Sequence, residues 1–518
     1  MERRALSWER VMKKFRWASR CFWLGALWLS FGNSVFAVDA IQIQAATDRQ
    51  LQPAITALQT WVAIPSVTDA TDSHRADKTR LLLDIVAEAK RLGFQARLVA
   101  DQQVAIIDFD QQEPVIGILV HADVVPAGEE AGWQHPPFSG LLVDGAVWGR
   151  GAADDKGPIA ATLYALAAIK EMGIKLAGGV RVIVGTSEEN MRWNDFVAVG
   201  KLGLVPAQGW TADAAFPVVH AEKSFINAVV SFTDSRPLPA PLLDDWAGGT
   251  APNSIPARAT VWVRRDGDLV ASWMTAYSEL NPRVGFAIEE KQDGVQVTAL
   301  GKAGHGSRPD SGVNAITHLA RMLTAGAKGG NFAGSFTDGS AAGRTLQFLS
   351  KIIGGATDGG SLGIDRTHSV MGSTTVNVGQ VVTDSEGVHS YLNIRGPIGL
   401  STAQIEAALV EAVAPLSGRV DVVAAMDPLW VDPDDPFVQE LVSSYRRWVD
   451  DDRAPLSIGG TTYAKAFPGY VAFGMGFLDE HFPVHAPNER LPVELLQKGI
   501  AIYVDAILTT VGVREASQ

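Results

Sequence analysis

The feature that most constrains the fold is the near-continuous apolar run Val115 to Val120, which ends directly in His121-Ala122-Asp123. A strand with one wet face alternates polar and apolar residues, whereas an apolar run of this length fits a strand buried on both faces, as in a parallel sheet covered by helices. The neighbouring segments repeat the pattern. Val104 to Asp108 and Val180 to Val184 are further buried strands, and Gln95 to Val99 is a short one. Lys78 to Arg91 is apolar at helical spacing and is stopped by Gly93, and Pro158 to Met172 is an Ala-rich helix with proline in its first turn. Strands alternating with helices predict an α/β architecture with a mainly parallel sheet, whose ligands gather beyond the carboxyl ends of the strands. His121 and Asp123 fall at such an end, and strand alternation turns both to one face.

At 518 residues the chain exceeds one compact core, so two domains are expected and three are possible. From about Ser224 the rhythm changes to strand pairs with intervening helices, at Val261 to Arg265, Val295 to Leu300, Val388 to Ile394 and Val420 to Ala425. This predicts an α+β domain inserted over residues 224–428 between two parts of the α/β domain, residues 38–223 and 429–518. The second part carries helices at Phe437 to Val449 and near Val493 to Leu508, with a strand around Tyr470 to Gly474. Gly326 to Gly372 is Gly-rich and weakly periodic, consistent with long loops.

The N-terminus reads as a leader. Arg3, Arg4, Arg10, Lys13, Lys14, Arg16 and Arg20 precede the apolar stretch Cys21 to Ser30, and Val35 and Ala37 supply small side chains two positions apart. That order predicts a secretory signal over residues 1–37, cleaved before Val38, and a periplasmic mature protein without stable membrane association. An uncleaved anchor is the alternative, although the apolar stretch is shorter than the ~20 residues of a spanning helix. Cys21 lies in the leader, so the mature chain has no thiolate and must hold any metal by histidine and carboxylate. Acidic residues outnumber basic ones 57 to 44, giving a formal charge of -13, which argues against a nucleic-acid partner.

Five segments place ligand-type residues at loops. They are His121-Ala122-Asp123, Gly149 to Pro158 with Asp154 and Asp155, Gly185-Thr186-Ser187-Glu188-Glu189, Asp213, and His485 to Glu489. Each has a bland reading: a solvated histidine at a strand end, an aspartate capping a helix. Capping explains one acid of the Asp154-Asp155 pair better than two, and the adjacent carboxylates of Glu188 and Glu189 repel unless a cation lies near. Together they offer two histidines and several carboxylates, the donor set of a zinc site lacking sulfur, which cobalt or manganese could also occupy.

In this order the five segments resemble the signature of the di-zinc peptidases that include carnosinase, glutamate carboxypeptidase and succinyl-diaminopimelate desuccinylase. The likeness is greatest to the bacterial dipeptidase V branch and runs from about Gln52 onward. The resemblance implies a zinc-peptidase catalytic domain with an inserted lid, cleaving the amide bond of short peptides. It also implies that His121 and Asp213 bind one of two zinc ions, Glu189 and His485 the other, and that Asp154 bridges them. Glu188 is then the general base acting on a metal-activated water, and Asp123 orients His121.

In the lid, Gly301 to Pro309 resembles the motif whose histidine, here His305, stabilises the oxyanion. Asn253 and Arg395 resemble lid residues that hold the substrate, Arg395 suiting a terminal carboxylate. Gly459 to Tyr463, with Gly460, resembles a loop that brings backbone donors to the same end. A lid this long implies a monomer. His135 and His318 read as structural, and His220 and His481 are open. Asn190-Met191-Arg192-Trp193, Arg308 and Arg490 depart from the family's commoner pattern near the expected pocket. Two other readings stand beside the dipeptidase: an amidohydrolase removing acyl groups from amino acids on the same metal centre, and a catalytically silent peptide-binding protein. Because the ligand imidazoles must be neutral to bind metal, activity is expected to fall at acid pH.

Overall fold

The apolar runs assemble into one mixed sheet. Its strands lie in the order Gln95–Val99, Val104–Phe109, Gly179–Gly185, Pro114–His121, Gly209–Thr211, Tyr470–Ala472, Val219–Glu222 and Leu429–Trp430, with Leu456–Ile458 paired to Val219–Glu222. The four central strands, from Gly179–Gly185 to Tyr470–Ala472, run parallel. The flanking pairs are antiparallel, apart from that of Leu456–Ile458. This computed structural model describes residues 38–69, 71–110, 112–234, 242–328, 339–480 and 483–514, so the expected leader and His481 lie outside the described residues. Among those described, no helix is long and apolar enough to cross a membrane.

Pro114–His121 is buried from Ile116 to His121, as its composition requires. The helices Lys156–Glu171 and Val493–Val511 pack on it and on the helix Ala40–Val62. Lys156–Glu171 is buried from Lys156 to Ile169, and its many alanines let its neighbours approach closely. A further cluster joins Leu119 and Ile183 to Trp193, Phe196, Val199 and Tyr463.

A second sheet is antiparallel throughout, in the order Gly285–Lys291, Gly294–Leu300, Arg258–Val263, Leu243–Gly248, Thr375–Asp384, Gly387–Arg395, Phe225–Phe232 and Arg419–Met426. Every strand of it lies within residues 224–428. Alternation is clean here: Ala259, Val261 and Val263, then Val295, Val297 and Ala299, enter one core with Leu319, Leu323 and Leu409 of the covering helices. The chain leaves the first sheet at Val219–Glu222 and returns at Leu429–Trp430, and these two strands pair, so both crossings lie side by side.

The Gly-rich stretch differs from expectation. Within it Ala341–Gln347 is helical, capped by Ser340, whose Oγ accepts from the Gly343 nitrogen at 2.9 Å, and a wider helical turn continues over Phe348–Ile353. Leu346, Phe348, Leu349 and Ile353 are buried. Small residues and glycines diluted the periodicity that these apolar positions alone would have displayed.

Candidate metal centre

Three adjacent parallel strands, Gly179–Gly185, Pro114–His121 and Gly209–Thr211, end at the same edge. Their ends deliver Glu188 and Glu189, His121, and Asp213. Asp154 arrives on the turn before Lys156–Glu171, and His485 on the segment leading to the strand Arg490–Pro492, which pairs with Ala146–Trp148 beside that turn.

The pairings have a definite connectivity. His121 Nε2 lies 3.0 Å from Asp154 Oδ1 and 3.7 Å from Asp213 Oδ2. His485 Nε2 lies 3.0 Å from the other oxygen of Asp154 and 3.2 Å from Glu189 Oε1. Asp154 thus faces both imidazoles, one oxygen to each. His121, Glu188 and Asp213 bring ligand atoms within 4.8 Å of one another, as do His121, Asp154 and Glu189.

Electrostatics favour a cation here. Burial, then Asp213, push the Glu188 carboxyl well above its ordinary range, and burial, then Asp154, raise both Glu189 and Asp213. Burial opposes charge on the imidazoles too, but Asp154 and Asp213 outweigh it at His121, and Asp154 and Glu189 lift His485 to about 12. Asp154 itself is held below the usual carboxylate range by His121 and His485, against its burial. Among the described residues Glu188 Oε1 is a buried polar atom without a hydrogen-bond partner, and His121 Nε2, although 3.0 Å from Asp154 Oδ1, makes no well-directed hydrogen bond. Buried groups of this kind are normally satisfied. Orphaned donor atoms amid convergent carboxylates fit divalent metal, and the all-nitrogen-and-oxygen set suits zinc.

One expected contact differs. The His121 Nδ1 partner is the main-chain carbonyl of Asp123, at 2.8 Å, whereas the Asp123 carboxylate stands 3.7 Å away. That carboxylate instead accepts from Thr68 Oγ1 at 2.7 Å and from the backbone nitrogens of Glu188 and Glu189, both at 3.3 Å. It spans the two ligand loops. The ring's tautomer is fixed all the same, because a carbonyl can only accept, so Nδ1 carries the proton and Nε2 faces the cluster.

Several positioning residues had no separate signal in the sequence. Glu489 Oε1 accepts from the nitrogens of Gly151, Ala153 and Asp154 at 2.9, 3.1 and 3.2 Å, while its other oxygen pairs with Arg150, so this buried carboxylate shapes the turn that presents Asp154. Asp155 accepts from the His121 nitrogen at 3.0 Å. Asp195 accepts from Thr186, Ser187 and Tyr463 beneath the Glu188 loop. The departure at Asn190 to Trp193 is absorbed locally: Trp193 is 1% exposed and its Nε1 donates to the Glu188 carbonyl at 3.2 Å. Arg490 stacks 4.6 Å over the Trp148 ring.

The lid presents His305 on a short strand, Gly304–His305, paired with Ser254–Ile255 beside Asn253, whose carbonyl accepts from the Gly306 nitrogen at 2.6 Å. The Ser307 nitrogen donates to His305 Nδ1 at 3.2 Å, which makes Nδ1 an acceptor and leaves the proton of the neutral ring on Nε2. Although the residue keeps an exposed face, partial desolvation, then Arg395, Arg308 and His485, lower its pKa to about 4, so the ring is neutral at ordinary pH. Arg395 is buried, donating to the Gly459 carbonyl and, at 3.0 Å, to Asn393 Oδ1. The loop of Gly459 and Gly460 is secured next to it by Glu222, which accepts from Thr462 at 3.0 Å and 2.6 Å. The structural readings of two histidines are met by contacts. His135 makes an edge contact with Trp148, and His318 bonds the Tyr277 hydroxyl at 3.0 Å. His220 is buried and bonds the Val431 carbonyl at 2.7 Å.

Residues 117–509 match peptidase family M20/M25/M40. A protein of Staphylococcus aureus strain USA300 named "Putative dipeptidase" is 31% identical over 462 residues, covering 87% of this chain and 95% of its own. A Staphylococcus haemolyticus protein of the same description is 30% identical over 463 residues, with the same coverage. The fold is similar to that of human carnosine dipeptidase 1, with a TM-score of 0.56 at 14% identity, covering 91% of this chain and 99% of that one. It is also similar to that of the Saccharomyces cerevisiae dipeptidase Dug1p, with a TM-score of 0.56 at 12% identity, covering 90% and 98%.

Proposed function

Since the chain belongs to peptidase family M20/M25/M40 and is a metallopeptidase, we propose that it is a zinc-dependent dipeptidase in which Glu188 is the general base. The observation that carries this reading is the Asp154 carboxylate, which faces His121 with one oxygen and His485 with the other. His121 and Asp213 would hold one zinc, His485 and Glu189 the second, and Asp154 would bridge them; cobalt or manganese fits the same donors. When bound, such a pair supplies Lewis acidity that activates water and polarises the scissile carbonyl.

The remaining steps belong to side chains. Glu188, whose buried Oε1 has no hydrogen-bond partner among the described residues, takes the proton of the attacking water and delivers it to the leaving nitrogen, a transfer worth about 10²–10⁴ in rate. His305 donates from Nε2 to the oxyanion, and a single such donor contributes about 10²–10³. Arg395, with the Gly460 loop and Asn253, receives the substrate's terminal carboxylate. Closure of the lid over these groups excludes water and completes the site. We further infer export to the periplasm, cleavage of the leader, and a monomeric protein.

The test is hydrolysis of a panel of dipeptides and acyl-amino acids by the mature protein, with and without chelator, beside Glu188→Ala carrying its full metal load. Metal-dependent dipeptide cleavage that collapses in the variant is the expected result. Turnover of acyl-amino acids alone would reassign the substrate, and activity surviving both chelator and substitution would overturn the mechanism.

A further inference from the structure

The lid contains a cavity of about 500 Å³ that none of the candidate metal ligands lines. It is bounded by the helix Ala315–Lys328, the turn Pro309–Ser311 and the segment from Ile353 to Thr357. Its polar wall is basic: Arg283, Arg321 and His318 face a single carboxylate, Asp310. Asp310 accepts from Thr357 Oγ1 at 3.1 Å. Arg283 spends one donor on the Gly312 carbonyl at 3.0 Å, and Arg321 lies 6.0 Å over the Tyr277 ring. Neither guanidinium pairs with a carboxylate among the described residues. Burial, then the two arginines, hold His318 down to about 4, so it is neutral and the wall carries two guanidinium charges against the one carboxylate of Asp310.

We propose that this cavity binds a small oxyanion-bearing ligand, a carboxylate or a phosphate, between Arg283 and Arg321. The guanidinium fork matches both anions with paired hydrogen bonds, and the volume admits a molecule the size of an amino acid. A carboxylate ligand would be a hydrolysis product, which rests on the dipeptidase reading; a phosphate ligand does not depend on it.

The site is connected to the lid histidine. Asn314, on the cavity wall, donates from Nδ2 to Asn377 Oδ1 at 3.2 Å, and Asn377 donates to the carbonyls of Pro252 and Ser254 at 2.9 and 2.7 Å. The two flank Asn253, and Ser254 pairs with His305 on its short strand. The turn Pro309–Ser311, another wall, begins four residues after His305. Occupancy therefore bears on the frame that holds the oxyanion donor, and turnover changes with it.

The experiment is calorimetric titration of the metal-loaded full chain with glycine and, separately, inorganic phosphate, repeated after chelation. At least one probe binds saturably, the binding persists after chelation, and Arg283→Gln/Arg321→Gln weakens it at least tenfold. Binding of glycine alone assigns the carboxylate source and of phosphate alone the other. No saturable binding of either, or equal affinity in the variant, overturns the proposal. If the variant does not fold, phenylglyoxal labelling of the wild type decides: the probe slows modification of Arg283 and Arg321 several-fold, and unslowed modification refutes the site. Loss of peptidase activity on Glu188→Ala leaves these readouts unchanged, so the two readings fail separately.

Discussion

Asp195→Asn tests whether the loop bearing Glu188 is held from beneath. The residue is 1% exposed, and all its partners are donors. Oδ2 accepts from the nitrogens of Thr186 at 2.7 Å and Ser187 at 3.0 Å and from the Tyr463 hydroxyl at 2.7 Å. Oδ1 accepts from Ser187 Oγ at 2.6 Å and the Phe196 nitrogen at 2.7 Å. An asparagine retains one acceptor, and its NH₂ must face donors. The less costly orientation keeps oxygen at the Oδ2 position and sets the NH₂ against Ser187 Oγ, which can rotate to accept, and against the Phe196 N–H, which cannot. One buried N–H left unsatisfied costs about 1–3 kcal/mol, and the bonds that remain lose their charge assistance, roughly half their strength. Burial holds the Asp195 pKa up, so removing the charge relieves some desolvation and offsets part of that loss. The net expectation is destabilisation of about 2–3 kcal/mol. A displacement of the loop by about 1 Å further lowers kcat by up to ~10² at unchanged metal content. Urea unfolding at constant m gives the first quantity, and steady-state kinetics with metal analysis the second. A change under about 0.5 kcal/mol together with wild-type kcat would refute the account of what holds the loop.

Chelation should abolish hydrolysis and lower the thermal midpoint, since it leaves four crowded carboxylates with only two imidazoles to offset them; zinc, cobalt or manganese should restore both, and a midpoint indifferent to metal would count against the centre. His305→Ala should reduce kcat by about 10²–10³ with little effect on metal content. Because the His305 pKa is lowered from 6.5 to about 4, its contribution to stability is complete above pH 6.5 and declines as pH falls toward 4, where the folded ring finally accepts the proton that the unfolded chain already carries. The acid limb of the kcat profile near neutrality should therefore survive the substitution, and its disappearance would show that His305 itself is the titrating group. Arg395→Lys should raise KM for dipeptides with a free carboxyl group about tenfold or more, and much less for their amides; equal effects on both would place the carboxylate elsewhere.

What the sequence made legible follows from how each group is positioned. His121, Glu188 and Glu189 sit within a few residues of the ends of the apolar runs Val115 to Val120 and Val180 to Val184, so recognising those runs as parallel strands already gathers them at one edge, whereas Asp213 follows the short strand Gly209–Thr211, which carries no apolar run of its own. The register of three neighbouring strands then does the rest. Asp154 and His485 do not belong to this class. They reach the centre through a glycine-rich turn and a C-terminal segment; residue type alone joined them to the donor set, and only the resemblance assigned their places in it. The helix Ala341–Gln347 was missed because alanine, glycine and threonine carry little periodic signal, although tertiary burial fixes it in place.

The residues that hold the ligands in place were illegible for a different reason. Glu489 and the amides it receives are more than three hundred positions apart, as are Glu489 and Arg150. Nothing local distinguishes such a carboxylate from a solvated one. Asp123 marks the limit most clearly. Proximity in sequence correctly brings it to His121, yet proximity leaves open which atom is used. A side chain two residues along a strand end competes with its own carbonyl for the same imidazole nitrogen, and here the carbonyl wins at 2.8 Å. The carboxylate so released is the only acceptor that reaches both the Glu188 and Glu189 nitrogens among the described hydrogen bonds. The arrangement therefore does more than orient one ring. It ties the strand end that carries His121 to the loop that carries Glu188 and Glu189, so that the two sides of the candidate centre are fixed relative to each other by a single buried side chain.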